Sequence, residues 1–125
     1  MIMQITGIGT DIAEISRIAA ALARGGDDFR AMVFTSGELE RAKSFRHPET
    51  YLAGCWAAKE ALAKALGCGI GERCRFTEVD VELLSSAITL SGAAQETFAL
   101  SGGSKIHFAG ASERHYAIAT VVITG

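Results

Sequence analysis

The hydrophobic pattern changes period several times along the chain, and each change marks an element. Leu52, Cys55, Trp56, Leu62, Ala63 and Leu66 fall in one apolar arc of a helical wheel, which predicts a long helix over 51–70. Ala57, Ala58, Ala61 and Ala65 fill the other side, where small residues permit the close approach of a second element. A helix that is apolar almost all round is expected to be buried. Gly67, Gly69 and Gly71 follow it and read as a C-cap and turn. Their order, helix then glycines, is the reverse of what a dinucleotide-binding or phosphate loop requires.

Upstream, residues 5–10 read as a short strand in which Gly7 and Gly9 allow close backbone approach. Asp11 is expected to open a helix, with Glu14 in its first turn and Ile12, Ile15, Ile18, Ala19 and Leu22 at helical spacing as far as Gly25-Gly26. Phe29, Val33 and Phe34 are core candidates. Thr35-Ser36-Gly37-Glu38 is a capping box for a further helix with Arg41, Lys43 and Arg46, and His47-Pro48 marks the break before the central helix. Downstream, residues 78–83 alternate acidic and apolar side chains as a half-buried strand does, and 87–90 form a second strand. Residues 93–100 read as a short helix, and 105–109 with 116–124 as a hairpin around Ser112-Glu113-Arg114-His115.

Charge complicates the central helix. It carries Lys59, Glu60 and Lys64, and burying a charge costs several kcal/mol unless it is paired or bound. Glu60 and Lys64 are spaced to satisfy each other across one helical turn. Lys59 falls inside the apolar arc, where it serves either structural pairing or a ligand. Read as a site, the carboxylate holds a cation while a lysine neutralises an anionic ligand.

The bulk numbers narrow the class. A chain of 125 residues suits a single domain, 1–125. Hydrophobic content of 49% with 21% charged residues and a mean hydropathy of +0.25 favours an oligomer that hides apolar surface. A net charge of −2 provides no general field for nucleic acid, so attraction to an acidic partner must come from local patches. No apolar run reaches membrane-spanning length, and Met1-Ile2-Met3-Gln4 lacks the basic start of a leader, so the cytoplasm is expected. Cys55, Cys68 and Cys74 have no C-x-x-C spacing and read as reduced thiols rather than zinc ligands.

Two stretches carry a family resemblance. Trp56-Ala57-Ala58-Lys59-Glu60-Ala61-Leu62-Ala63-Lys64 resembles the W/F-x-x-K-E-x-x-x-K signature of the phosphopantetheinyl transferases, and Gly7-Ile8-Gly9-Thr10-Asp11 resembles their first motif. The opening GIGTDIAEISRI is similar to the short holo-[acyl-carrier-protein] synthase branch. The resemblance implies an α+β domain with an antiparallel sheet packed around the central helix, assembled as a homotrimer with sites between subunits. It implies transfer of the 4′-phosphopantetheine arm of coenzyme A to a serine of an acyl carrier protein. Asp11 and Glu60 would hold Mg²⁺, with Glu60 and Lys64 catalytic. Lys43, Arg46, Lys64, Gly67, Gly69 and His107 would bind coenzyme A, and Arg17 and Arg24 would meet the acidic carrier on a helix face opposite the isoleucines.

The chain also departs from that pattern. Cys55 stands where the family has an arginine, and Leu84-Ser85-Ser86 replaces a Gly-Lys-Pro turn in what reads as a shortened loop. Ala109 and Ala111 stand in the last hairpin where hydroxyls are usual. These changes leave a second reading open, a catalytically impaired homologue that binds a carrier protein or coenzyme A.

Overall fold

The computed structural model describes residues 3–125; Met1 and Ile2, part of the stretch read for a leader, lie outside them. Strand β1 (Ile5–Glu14) runs into α1 (Ile15–Val33), which is followed by α2 (Ser36–Ala42) and the central helix α3 (Pro48–Ala65). A 3-10 turn (Phe76–Glu78) precedes the strands β2 (Val79–Glu82) and β3 (Ala87–Leu90). Helix α4 (Gly92–Leu100) and the strands β4 (Lys105–Ser112) and β5 (Tyr116–Thr124) follow. The architecture is the expected α+β arrangement: an antiparallel sheet in the order β1-β5-β4 carries α3 on one face, beside a separate β2-β3 ribbon.

Gly7 and Gly9 decide how tightly strand and helix meet. A Cβ at Gly7 would stand 2.0 Å from the Ala65 carbonyl oxygen, and one at Gly9 1.9 Å from that of Ala61. Glycine on the strand and alanine on the helix therefore let two backbones touch. On the same face β5 contributes Ala117, Ala119, Val121 and Ile123, all buried.

Several boundaries differ from expectation for clear reasons. Asp11 does not open a helix: it pairs with Ala119 within β1, because period-two burial continues to Ala13 and β5 is long enough to pair as far as Glu14. Helix α1 bends at Gly26 (φ 55°) instead of ending there, and its last turns bring Val33 into the core and Phe29 against Trp56, with ring centroids 6.3 Å apart. Helix α3 begins earlier than expected, with Pro48 in its first turn where the missing N–H has no helical partner to lose, and it ends at Ala65. Strand β4 runs on to Ser112, paired with Ala117.

One ion pair locks the helical side. Lys59 and Glu38 are both fully buried, with Nζ 2.7 Å from Oε1. Lys59 also donates to the carbonyls of Val33, Phe76 and Val79 at 2.9, 2.8 and 2.8 Å. Glu38 accepts from the Thr35 and Val81 backbone N–H groups at 2.9 and 2.7 Å. Burial pushes the Glu38 carboxyl up and the Lys59 ammonium down, and their mutual contact opposes both shifts. Among the described residues, no buried side-chain polar atom is left without a partner.

The other face of the sheet is uncovered. Ile8, Ile12 and Ile118 are 61%, 59% and 45% exposed there, around a Thr10–Thr120 hydroxyl contact. Among the described residues, no helix is long and apolar enough to cross a membrane.

Candidate active site on the central helix

Asp11 shares the inward face of β1 with Gly7 and Gly9, and their close contact with α3 carries it to the side chains at positions 60 and 64. Lys64 Nζ donates to Asp11 Oδ1 at 2.9 Å and to the Thr10 carbonyl at 3.1 Å. Lys64 thus pairs with the strand carboxylate and not with Glu60, the partner its spacing offered. Glu60 lies one turn before it, half-buried. Its carboxyl is pushed up first by burial and then by the negative charge of Asp11, and the Lys64 ammonium pulls it back only in part. The Asp11 side chain is 17% exposed and that of Lys64 51%, so the trio is open to solvent.

A Glu60 carboxyl pushed up by burial and by the charge of Asp11 is short of a positive neighbour. No group of three or more His, Cys, Asp or Glu side chains gathers among the described residues. Two oxygen donors with open coordination suit a hard ion such as Mg²⁺, which keeps water and takes phosphate oxygens.

The remaining candidates fall at varied places. Lys59 serves structure: its ammonium is enclosed by α1, α2, the 3-10 turn and β2, and cannot touch a phosphate. Arg17 and Arg24 are exposed on α1, away from the buried Ile15, Ile18 and Leu22. Lys43 lies beyond the end of α2 and is tied to Glu40 at 3.1 Å. Arg46 is exposed at the rim of a cavity of about 520 Å³. Its walls include Phe45, Tyr51, Gly54, Leu83 and Ile118.

Gly67 and Gly69 carry a correction. Both have positive φ, 80° and 68°, and their N–H groups donate to the Lys64 and Ala63 carbonyls at 2.9 and 3.1 Å. They close the helix and leave no free amide for a pyrophosphate. His107 stands apart from the Asp11 site of its own chain. It pairs with Val122 on the uncovered face, and its Nε2 lies 2.9 Å from Thr124 Oγ1, so the sheet separates it from Asp11.

The departures from the family pattern also look different in three dimensions. Cys55 is fully buried, with Sγ 4.0 Å from the Val81 carbonyl, and its thiol pKa is pushed well up by burial; the position faces the core, not a phosphate. Residues 83–86 form a four-residue turn between the paired Glu82 and Ala87, closed by Ser86 N–H donating to the Leu83 carbonyl at 3.3 Å. Ala109 and Ala111 both lie on the uncovered sheet face, beside Thr120 and Ile118, and Ala111 also lines the cavity.

Sequence reasoning missed the second role of Glu38 and the cavity. Glu38 signalled only a capping box; its other oxygen finds Val81 across a loop of long sequence separation. The cavity is assembled from three distant stretches, none distinctive alone.

An α+β domain that sets a strand carboxylate beside a helix carboxylate and a lysine, open to solvent, has the parts of a metal-assisted phosphoryl-transfer enzyme. The family model described as the 4′-phosphopantetheinyl transferase superfamily matches residues 7–121. A holo-[acyl-carrier-protein] synthase of Shewanella amazonensis is 43% identical over 124 residues, covering 97% of this chain and 99% of that protein. The crystal structure of the synthase from Neisseria meningitidis superposes with a TM-score of 0.86 at 30% identity, covering 96% of this chain and 98% of that one. The Bacillus anthracis synthase, solved in complex with CoA (3′,5′-ADP), gives a TM-score of 0.79 at 29% identity over 99% of both chains. The chain therefore belongs to the 4′-phosphopantetheinyl transferase superfamily, in its holo-[acyl-carrier-protein] synthase branch.

Proposed function

We propose that this protein transfers the 4′-phosphopantetheine arm of coenzyme A to a serine of an apo-acyl carrier protein, using Mg²⁺. The observation that carries the proposal is the meeting of Asp11, Glu60 and Lys64 where β1 lies against α3. Asp11 and Glu60 would hold the ion, which supplies charge neutralisation on the pyrophosphate. Lys64 exchanges its contact with Asp11 for the phosphate whose charge grows as the bond to the nucleotide breaks. The serine oxygen attacks the phosphorus that bears pantetheine, and adenosine 3′,5′-bisphosphate leaves. Glu60, its carboxyl raised by burial and by the charge of Asp11, suits a role in accepting the serine proton through water.

Recognition uses the periphery. Arg17 and Arg24 offer the acidic carrier a cationic helix face, which speeds encounter and fixes orientation. Arg46 takes the 3′-phosphate of coenzyme A at the cavity rim; Lys43, held by Glu40, contributes only if that exposed pair opens. The uncovered apolar sheet face supports a homotrimer, in which His107 reaches toward a neighbour's site. Free thiols at Cys55, Cys68 and Cys74 suit a cytoplasmic setting.

The test is intact-mass spectrometry of apo-carrier proteins incubated with the protein, coenzyme A and Mg²⁺. A phosphopantetheine mass gain is expected, abolished by chelator and by Glu60→Gln. Coenzyme A binding with no gain on any carrier would instead establish the silent binding module.

A further inference from the structure

Asp11 already has a cation against it, and that cation is a side chain of the protein. Lys64 Nζ lies 2.9 Å from Asp11 Oδ1, and its other partner, the Thr10 carbonyl at 3.1 Å, sits on the same strand. Both ends of the contact belong to one chain, where β1 lies against α3, so the contact needs no second copy. The Asp11 side chain is mostly covered, which limits the directions from which its oxygens can be reached. Lys64 is half-exposed and tied only to the strand, so its ammonium can swing away; the enclosed Lys59 has no such freedom.

A hard divalent ion held by Asp11 needs the carboxylate that Lys64 now occupies. An ammonium and a divalent ion on one carboxylate also repel each other directly. Two carboxylates balance a divalent ion by themselves, and the ammonium is then surplus charge that an incoming phosphate can take up. We infer that Lys64 is a built-in competitor for the metal: its ammonium holds Asp11 until the pyrophosphate of coenzyme A draws it off, so the ion binds weakly alone and tightly with the co-substrate. This rests on the transferase reading above, to which it adds a rule of assembly. The coupling is reciprocal, so the ion strengthens coenzyme A binding by the same factor as coenzyme A strengthens binding of the ion.

The test uses Mn²⁺ in place of Mg²⁺, because the free ion is counted directly by its paramagnetic resonance signal. Its Kd is measured at one pH for the parent, Lys64→Met and Asp11→Asn, first with the metal alone and then with coenzyme A present and no carrier. A half-exposed ion pair is worth up to about fivefold in an equilibrium constant, and the direct repulsion adds to that. Lys64→Met should therefore bind Mn²⁺ alone about fivefold more tightly than the parent does, and Asp11→Asn should lose the site. Coenzyme A should tighten Mn²⁺ binding by a larger factor in the parent than in Lys64→Met, because only the parent has an ammonium to move. A gain below about twofold for Lys64→Met with the metal alone, or equal effects of coenzyme A on the two proteins, would overturn the inference and leave the transferase reading standing. Binding that Asp11→Asn leaves unchanged, with and without coenzyme A, would overturn both.

Discussion

Helix α3 presents two lysines, and they occupy opposite physical regimes. Lys59 is sealed in the core, where its ammonium meets Glu38 and three carbonyls. Lys64 is half in solvent and holds Asp11 beside a second carboxylate that resists ionising. The first site is saturated: donors and acceptors are matched, and a ligand has nowhere to enter. The second is incomplete, with two acids sharing one base. Satisfaction marks structure, and an electrostatic deficit open to solvent marks chemistry.

The comparison is most strongly tested at Lys59. Lys59→Met should leave Glu38 without its charge partner and strip the hydrogen bonds from Val33, Phe76 and Val79. The expected destabilisation is about 3–5 kcal/mol, measured by urea unfolding. A cost below about 1 kcal/mol would mean that the core relaxes to supply other partners. Gly9→Ala comes next. The new methyl meets the Ala61 carbonyl, so β1 must lift from α3 at a cost of about 1–3 kcal/mol. Because the same contact delivers Asp11, transfer activity should fall further than stability does. Loss of stability with activity intact would show that Asp11 is placed some other way.

Lys64→Ala should reverse the balance. Removing a half-exposed pair should change unfolding free energy by no more than about 1 kcal/mol. The rate of transfer should fall by about 10²–10³-fold if Lys64 stabilises the developing phosphate charge. Measuring both on one preparation separates the two lysines cleanly. A Lys64→Ala protein that transfers normally would remove Lys64 from the mechanism.

How far these roles could be read from sequence follows from the distance over which each is decided. The capping box at Thr35–Glu38 and the strands 79–82 and 87–90 are local, and local periodicity located them. The glycine and alanine repeats on 7–9 and 57–65 announced a close strand–helix contact before its partners were known. Asp11 was misassigned to a helix cap because an acid before an apolar run fits either state; β5, over a hundred residues away, decided for the strand. Lys59 stayed ambiguous because its partners come from distant stretches of chain. The Cys55 side chain faces Val81, which a reading of its helix alone does not bring near it.

Glu60 tests the deficit itself, through pH. Burial and Asp11 hold its carboxyl above 4.5, so the folded protein retains a proton there that the unfolded chain has released. Stability must then fall as pH rises from about 4.5 through the raised folded value, because the ionised form is the one folding disfavours. Glu60→Gln removes that titration. In the absence of metal its Tm should equal or slightly exceed the parent's at pH 7, and the downward slope assigned to Glu60 should flatten. Added Mg²⁺ should raise the Tm of the parent more than that of the variant, with the gain growing as pH climbs and Glu60 ionises. A variant less stable than the parent at pH 7 without metal would mean that Glu60 is already satisfied within the fold, and the carboxylate pair would then belong with Lys59 and Glu38 on the structural side.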